Sequence, residues 1–247
     1  MSRYQNFSDD FYINLNLNTE MDLPKGRETV LHFFEQLQRR YATMRNFYTR
    51  ERNEFVLEED KDEGRYRWAT VEPRRICAGQ VNPESLEEAL DLHRQIMDSA
   101  PYMLSVSPLD CESINMMFGF DFTYRGNHNE LIAEALGVMP AFEGFLERSA
   151  GRSVAFEPSI QIALDDECRL QCRLSVESRT NAFHLRTGQF PEEQLSVYVT
   201  ARRFGSLEQN ETFVDAINQL SKICQEVIDD HVLDNVLRPL QQAIALR

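Results

Sequence analysis

The stretch FYINLNLN, residues 11–18, decides the fold: Phe11, Ile13, Leu15 and Leu17 are apolar, while Tyr12, Asn14, Asn16 and Asn18 between them are polar. Successive side chains of a strand point to opposite faces, so this period of two predicts a half-buried strand with one apolar face and one mostly of amides. An amphipathic helix needs apolar residues at intervals of three and four, which this stretch lacks. The fold therefore contains a sheet that is covered on one side.

Moving outward, the next segment supplies a cover. Over residues 28–48, Leu31, Phe34, Leu37, Tyr41 and Met44 recur at helical intervals and predict an amphipathic helix. Strands follow around NEFVLEE (53–59) and RYRWATVE (65–72), joined by an acidic turn in which Gly64 can take a positive φ. A third strand over 75–81 leads to Asn82 as a helix cap and Pro83 as a first helical residue. That helix runs to about residue 99, with Leu90, His93 and Met97 inward.

The second half opens in the same way. Over 114–124, Met116, Phe118, Phe120, Phe122 and Tyr124 alternate with Asn115, Met117, Gly119, Asp121 and Thr123. Short helices are expected at 128–136 and 141–149, separated by Gly137 and Pro140. SIQIAL (159–164), CRLQCRLSVE (168–177) and LSVYVTARRF (195–204) read as strands, and 211–243 as a long amphipathic helix.

Residues 1–110 and 111–247 thus each read as a β-α-β-β-β-α unit, the second with a long C-terminal helix. The expectation is an α+β fold made by internal duplication: one compact unit with a curved antiparallel sheet and helices on one face. This order resembles, at the level of fold, the TATA-box-binding-protein-like arrangement, with no shared motif. The second half alone resembles the helix-grip layout of START-type lipid-binding domains. That likeness implies, as an alternative, a pocket for an apolar small ligand lined by Phe118, Phe120, Phe122 and the C-terminal helix.

Charge narrows the function. Forty acidic against 26 basic residues give a net charge of −14, a field that repels phosphate backbones and anionic membranes, so no nucleic acid and no membrane is expected as partner. Only Lys25, Lys61 and Lys222 are lysines; the other basic residues are arginines, which favours planar recognition of carboxylate or phosphate or reflects a compositional bias. The cysteines, Cys77, Cys111, Cys168, Cys172 and Cys224, are odd in number and lack paired spacing, which fits a reducing, cytoplasmic setting. Cys168 and Cys172 are read as same-face strand residues, and Cys111 as a loop thiol.

Motifs for nucleotide cradling, zinc-dependent proteolysis or a hydrolase nucleophile are absent, so no cofactor and no metal is expected and a non-catalytic role is favoured. The acidic run 58–64 fails as a calcium loop, since counting from Asp60 puts Gly64 at position 5 rather than 6. Two sets of residues remain as candidates. The outward sheet face offers Tyr12, Asn14, Asn16, Gln171, Arg169, Arg173, Tyr198 and Arg202 for binding a protein partner or a small ligand, there or in the groove between the halves. An enzyme is the alternative, with Glu177, Arg179 and His184 as a carboxylate-oriented acid/base group. The C-terminal helix, about 50 Å long, exceeds the width of a small sheet, so a homodimer through its projecting stripe is expected.

Overall fold

The computed structural model describes residues 3–50, 53–148 and 152–247. Among them nine strands form a single antiparallel sheet in the order β2 (Asn46–Arg50), β3 (Glu54–Glu58), β4 (Tyr66–Glu72), β5 (Arg75–Val81), β1 (Asp10–Thr19), β6 (Cys111–Arg125), β9 (Glu192–Phe204), β8 (Leu170–Glu177) and β7 (Ser159–Ala163). The deciding stretch is β1 (Asp10–Thr19), whose residues alternate strictly between buried and half-buried. It pairs with β5 (Arg75–Val81) on one side and β6 (Cys111–Arg125) on the other. The first strands of the two expected units therefore lie side by side at the centre of the sheet, but neither unit is the expected β-α-β-β-β-α: among the described residues, 1–110 hold five strands, and 111–247 hold four with a helix, Ala182–Thr187, between the last two.

Helices α1 (Arg27–Arg40), α2 (Leu86–Met103) and α6 (Phe213–Val227) bury Phe33, Phe34, Leu90, Ile96, Phe213, Ile217 and Leu220 in one core with the inward residues of both halves. Burying such side chains contributes about 1.5–3 kcal/mol each, which holds the helices to the sheet. Tyr4, Phe11, Phe118 and Phe120 form its aromatic centre, with ring centroids 5.2–6.4 Å apart. All four are fully buried, and Phe118, Phe120 and Phe122 pack in the core; the apolar cavity of the second half, about 870 Å³, lies instead beside Ile160, Leu174, Val176 and Val236 of the C-terminal helix.

Three local expectations need correction. The first helix ends at Arg40, not residue 48: Tyr41 and Met44 reach the core from a turn, and Asn46–Arg50 forms β2 against β3 (Glu54–Glu58). Phe47 stacks on Phe55 at 6.5 Å, a cross-strand pair no helix could make. Gly64 does take φ +68°, closing the turn between β3 and β4 (Tyr66–Glu72). Ser85, not Asn82, caps α2, accepting from the Glu88 N–H; Pro83 precedes the helix. Asn82, at φ +49°, instead accepts from the Phe11 N–H at 2.9 Å and donates to Asp10 at 2.7 Å, latching β5 to β1.

Two cysteine expectations fail as well. Cys168 lies in the turn before β8 (Leu170–Glu177), exposed and at φ +55°, so it does not share a strand face with buried Cys172. Cys111 begins β6 and is fully buried, and desolvation pushes its thiol up to about 11. A buried thiol raised in this way forms the nucleophilic thiolate less readily than a free one.

The second half continues with α3 (His128–Leu136), α4 (Pro140–Arg148), β7 (Ser159–Ala163), α5 (Ala182–Thr187) and β9 (Glu192–Phe204). Ser149, the expected last residue of α4, lies outside the described residues. The long helix runs as α6, a π-helical segment (Ile228–Leu237) and α7 (Arg238–Ala245). Its apolar stripe does not project: Ile228, Val232, Val236, Leu237 and Leu240 are buried in the chain's own core. Beyond the sheet, α7 packs on α3, and the N-terminal segment covers the outside, with Tyr4 bonded to Asp229 and Gln241 to the Asn6 carbonyl. These covers remove the reason to expect a dimer through that helix.

Candidate functional site

Strand register builds the uncovered face. One row crosses β1, β6, β9 and β8 as Asn16, Asn115, Arg202 and Gln171. The next runs Asn14, Met117, Thr200 and Arg173, then Gln161 on β7. A third runs Tyr12, Gly119, Tyr198, Ser175 and Ser159. Because side chains alternate, all of these stand on the side opposite the helices.

The middle of this face dips into a cleft of about 420 Å³, lined by Asn16, Asn18, Asn115, Gln161, Gln171, Arg75, Arg173, Arg202, Tyr198 and Glu177 among others. Small residues deepen the surrounding surface. A Cβ at Gly119 would collide with the Tyr12 ring, and one at Gly79 with the Trp68 indole and Asn14 Oδ1. Both rings therefore lie against bare backbone, an arrangement that needs glycine beneath them.

Hydrogen bonds within the cleft fix its amides. Asn16 donates to Asn115 Oδ1 at 3.1 Å, Asn18 donates to Ser113 Oγ at 2.9 Å, and Gln161 donates to Gln171 Oε1. The arginines differ in their partners. Arg75 is held by Glu72 at 2.6 and 2.8 Å, whereas Arg173 uses its Nε on Ser159 Oγ at 3.0 Å and Arg202 stacks on Phe204 at 5.6 Å. Neither Arg173 nor Arg202 makes an ion pair with a carboxylate among the described residues. In a chain of net charge −14, two such guanidiniums beside five amides form a local site of opposite sign.

Next to the cleft, Tyr12 donates to Asp121 at 3.1 Å and its ring meets Tyr198 edge-on at 6.4 Å. Burial, with the Asp121 charge beside it, raises the Tyr12 phenol far above its ordinary range. Asp121 is itself raised by burial, with donors at Ser196 and Tyr12 opposing the shift. This corner therefore holds a phenol raised far above its ordinary range beside a carboxylate that burial also raises.

Of the residues the sequence singled out, Asn16, Gln171, Arg173, Tyr198 and Arg202 line the cleft, with Tyr12 and Asn14 beside it. Arg169 does not reach it: that guanidinium donates to the Phe204 and Ser206 carbonyls at the end of the sheet. Asn18, which alternation already places on the polar face, and Arg75, whose place follows from β1 pairing with β5, also belong to the cleft.

The acid/base group is not gathered. Arg179 pairs with Glu177 at 3.3 Å, and Glu177 faces the polar cleft. His184 stands on α5 in a separate depression with Arg125, Phe183 and Phe190. The histidine close to Arg179 is His128, whose Nδ1 accepts the Arg179 N–H at 3.2 Å while Nε2 lies 3.3 Å from the Tyr124 carbonyl. Nδ1 thus holds the 178–180 loop, while Nε2 faces the end of β6.

The described residues include no cluster of histidine, cysteine and carboxylates fit for a metal ion, and no helix long and apolar enough to cross a membrane. No family model matches the chain, and no curated protein matches it either.

Proposed function

We propose that the protein is a non-catalytic binding module whose polar sheet face holds a small anionic ligand bearing carboxylate or phosphate. The observation that carries this reading is the cleft itself, where Arg173 and Arg202 face an amide lining without carboxylate partners. Charge-assisted hydrogen bonds from guanidinium are among the stronger polar contacts, and amides fixed by their neighbours add directional donors and acceptors. We further infer that the halves divide at 110/111 and are copies of one unit. The adjacency of β1 and β6, with a helix following the first strand of each half, supports that reading. The cysteines, all free, suit a reducing cytoplasmic setting.

Native mass spectrometry of freshly purified protein, compared with the denatured mass, tests for a retained anion. Titration calorimetry with citrate and inorganic phosphate as probes then measures affinity. Arg173→Glu combined with Arg202→Glu should weaken binding about ten- to hundredfold or more while leaving the unfolding midpoint unchanged. Binding that survives both substitutions removes this face from consideration.

A further inference from the structure

The polar cleft is larger than a bare anion needs. Its volume of about 420 Å³ falls in the range of about 300–1,000 Å³ in which proteins hold drug-sized molecules. Thr200 marks the centre of its floor. Met117 on β6 and Arg173 on β8 stand opposite Thr200, and Tyr198 and Arg202 lie two residues to either side of it on β9. Diagonal neighbours on a sheet face are about 7–8 Å apart, so Arg173 and Arg202 can share one anion while Tyr198 and Met117 bound the ground beside it. Glu177, the acidic residue of the lining, is paired with Arg179 at 3.3 Å and does not cancel the two guanidiniums.

Two features define the rest of the ligand. The first is aromatic surface. Gly119 stands between Tyr12 and Tyr198 in the register, and because it has no Cβ the Tyr12 ring lies over it. The planes of Tyr12 and Tyr198 are 64° apart, so the rings do not stack on each other, and half-buried Tyr198 keeps aromatic surface in the cleft. The second feature is the amides. Asn115 lies opposite Arg202 and two residues from Met117, and it accepts from Asn16. That bond uses one donor of Asn16 and one lone pair of Asn115, which leaves further N–H groups and lone pairs on both for a ligand. A hydrocarbon ring would strip water from these groups and return no hydrogen bond. The ring must therefore carry donors and acceptors on its edge.

Resting on the anion-binding reading above, we propose that the ligand is a nucleoside monophosphate. Its phosphate lies on Arg173 and Arg202, and its base lies against Tyr198 and Met117 with its edge toward Asn115 and Asn16. Bases stack on aromatic side chains and are read by donors and acceptors at their edges. The net charge of −14 opposes a polymer of phosphates, which limits the ligand to a mononucleotide.

Titration calorimetry on the full chain compares AMP, GMP, CMP and UMP with ribose 5-phosphate and inorganic phosphate. At least one nucleotide should bind about five- to a hundredfold more tightly than ribose 5-phosphate, the gain that base stacking supplies. Tyr198→Ala should bring that nucleotide down to the ribose 5-phosphate level without moving ribose 5-phosphate itself, and Tyr198→Phe should keep the difference. Nucleotides that bind no better than ribose 5-phosphate overturn this inference and leave the anion reading standing. If none of these probes and no citrate binds, the anion reading falls with it. A preference that survives Tyr198→Ala overturns the placement of the base. The wild-type comparison needs no substitution, so it decides the matter even where Tyr198→Ala fails to fold.

Discussion

His93 is fully buried on α2, and desolvation pushes its pKa down to about 3, with a backbone hydrogen bond at Ala78 opposing the shift in part. The unfolded chain takes up a proton at this residue near its ordinary pKa of 6.5, and the folded chain does so only near 3. Acidification through that window therefore favours the unfolded state: stability present above about 6.5 is lost as the pH falls, by up to about 1.4 kcal/mol per unit. His93→Leu removes the linkage. Its melting temperature should exceed that of wild type by more at pH 5 than at pH 7, and parallel pH profiles of the two proteins would show that His93 is not the group responsible. The sequence identified His93 as an inward helix residue from spacing alone. Its complete desolvation depends on β5 packing beneath it, which no local pattern encodes.

At the scale of elements, the clearest local signal lies at the start of the long helix. Thr212 and Asp215 form a capping box: Thr212 Oγ1 accepts the Asp215 N–H at 3.1 Å, and Asp215 Oδ2 accepts the Thr212 N–H at 3.0 Å. Removing such a cap costs about 1 kcal/mol. Thr212→Ala should lower the urea midpoint accordingly without changing its slope, because α6 stays anchored by Phe213, Ile217 and Leu220. A change in slope would mean that the helix end frays in the native state. β1 was legible because one buried face forces period two, and β6 and β9 because their large apolar side chains alternate along the sequence even though burial does not alternate strictly. β2 was not: Phe47 and Tyr48 fit a helix stripe or a strand equally, and only the β3 partner decides. The cleft was legible in outline for the same reason. Alternation says which side Asn16 and Arg202 take, but only the strand order says that Arg75 joins them.

For the molecule as a whole, the question is whether the two halves can exist apart. The β1–β6 ladder runs from Asp10 opposite Asp121 to Asn18 opposite Ser113, so it joins the halves along nearly the whole of β1. Across it, Phe11 packs on Phe118 and Phe120 at 6.2 and 5.2 Å, and Tyr4 reaches Asp229 at 3.0 Å. Residues 1–110 alone would turn β1 into an open edge and expose Phe11 and Ile13. Residues 111–247 alone would do the same to β6 and bare Phe118, Phe120 and Leu220. Chains of this size bury a smaller fraction of their surface to begin with, so losing a shared core leaves neither half a net driving force to fold. Each half expressed separately should therefore lack a cooperative thermal transition, whereas co-expressed halves should copurify and regain one. A cooperative transition in either isolated half would establish it as a domain in its own right. The β1–β6 seam would then be an interface between two folded units and not the centre of a single core.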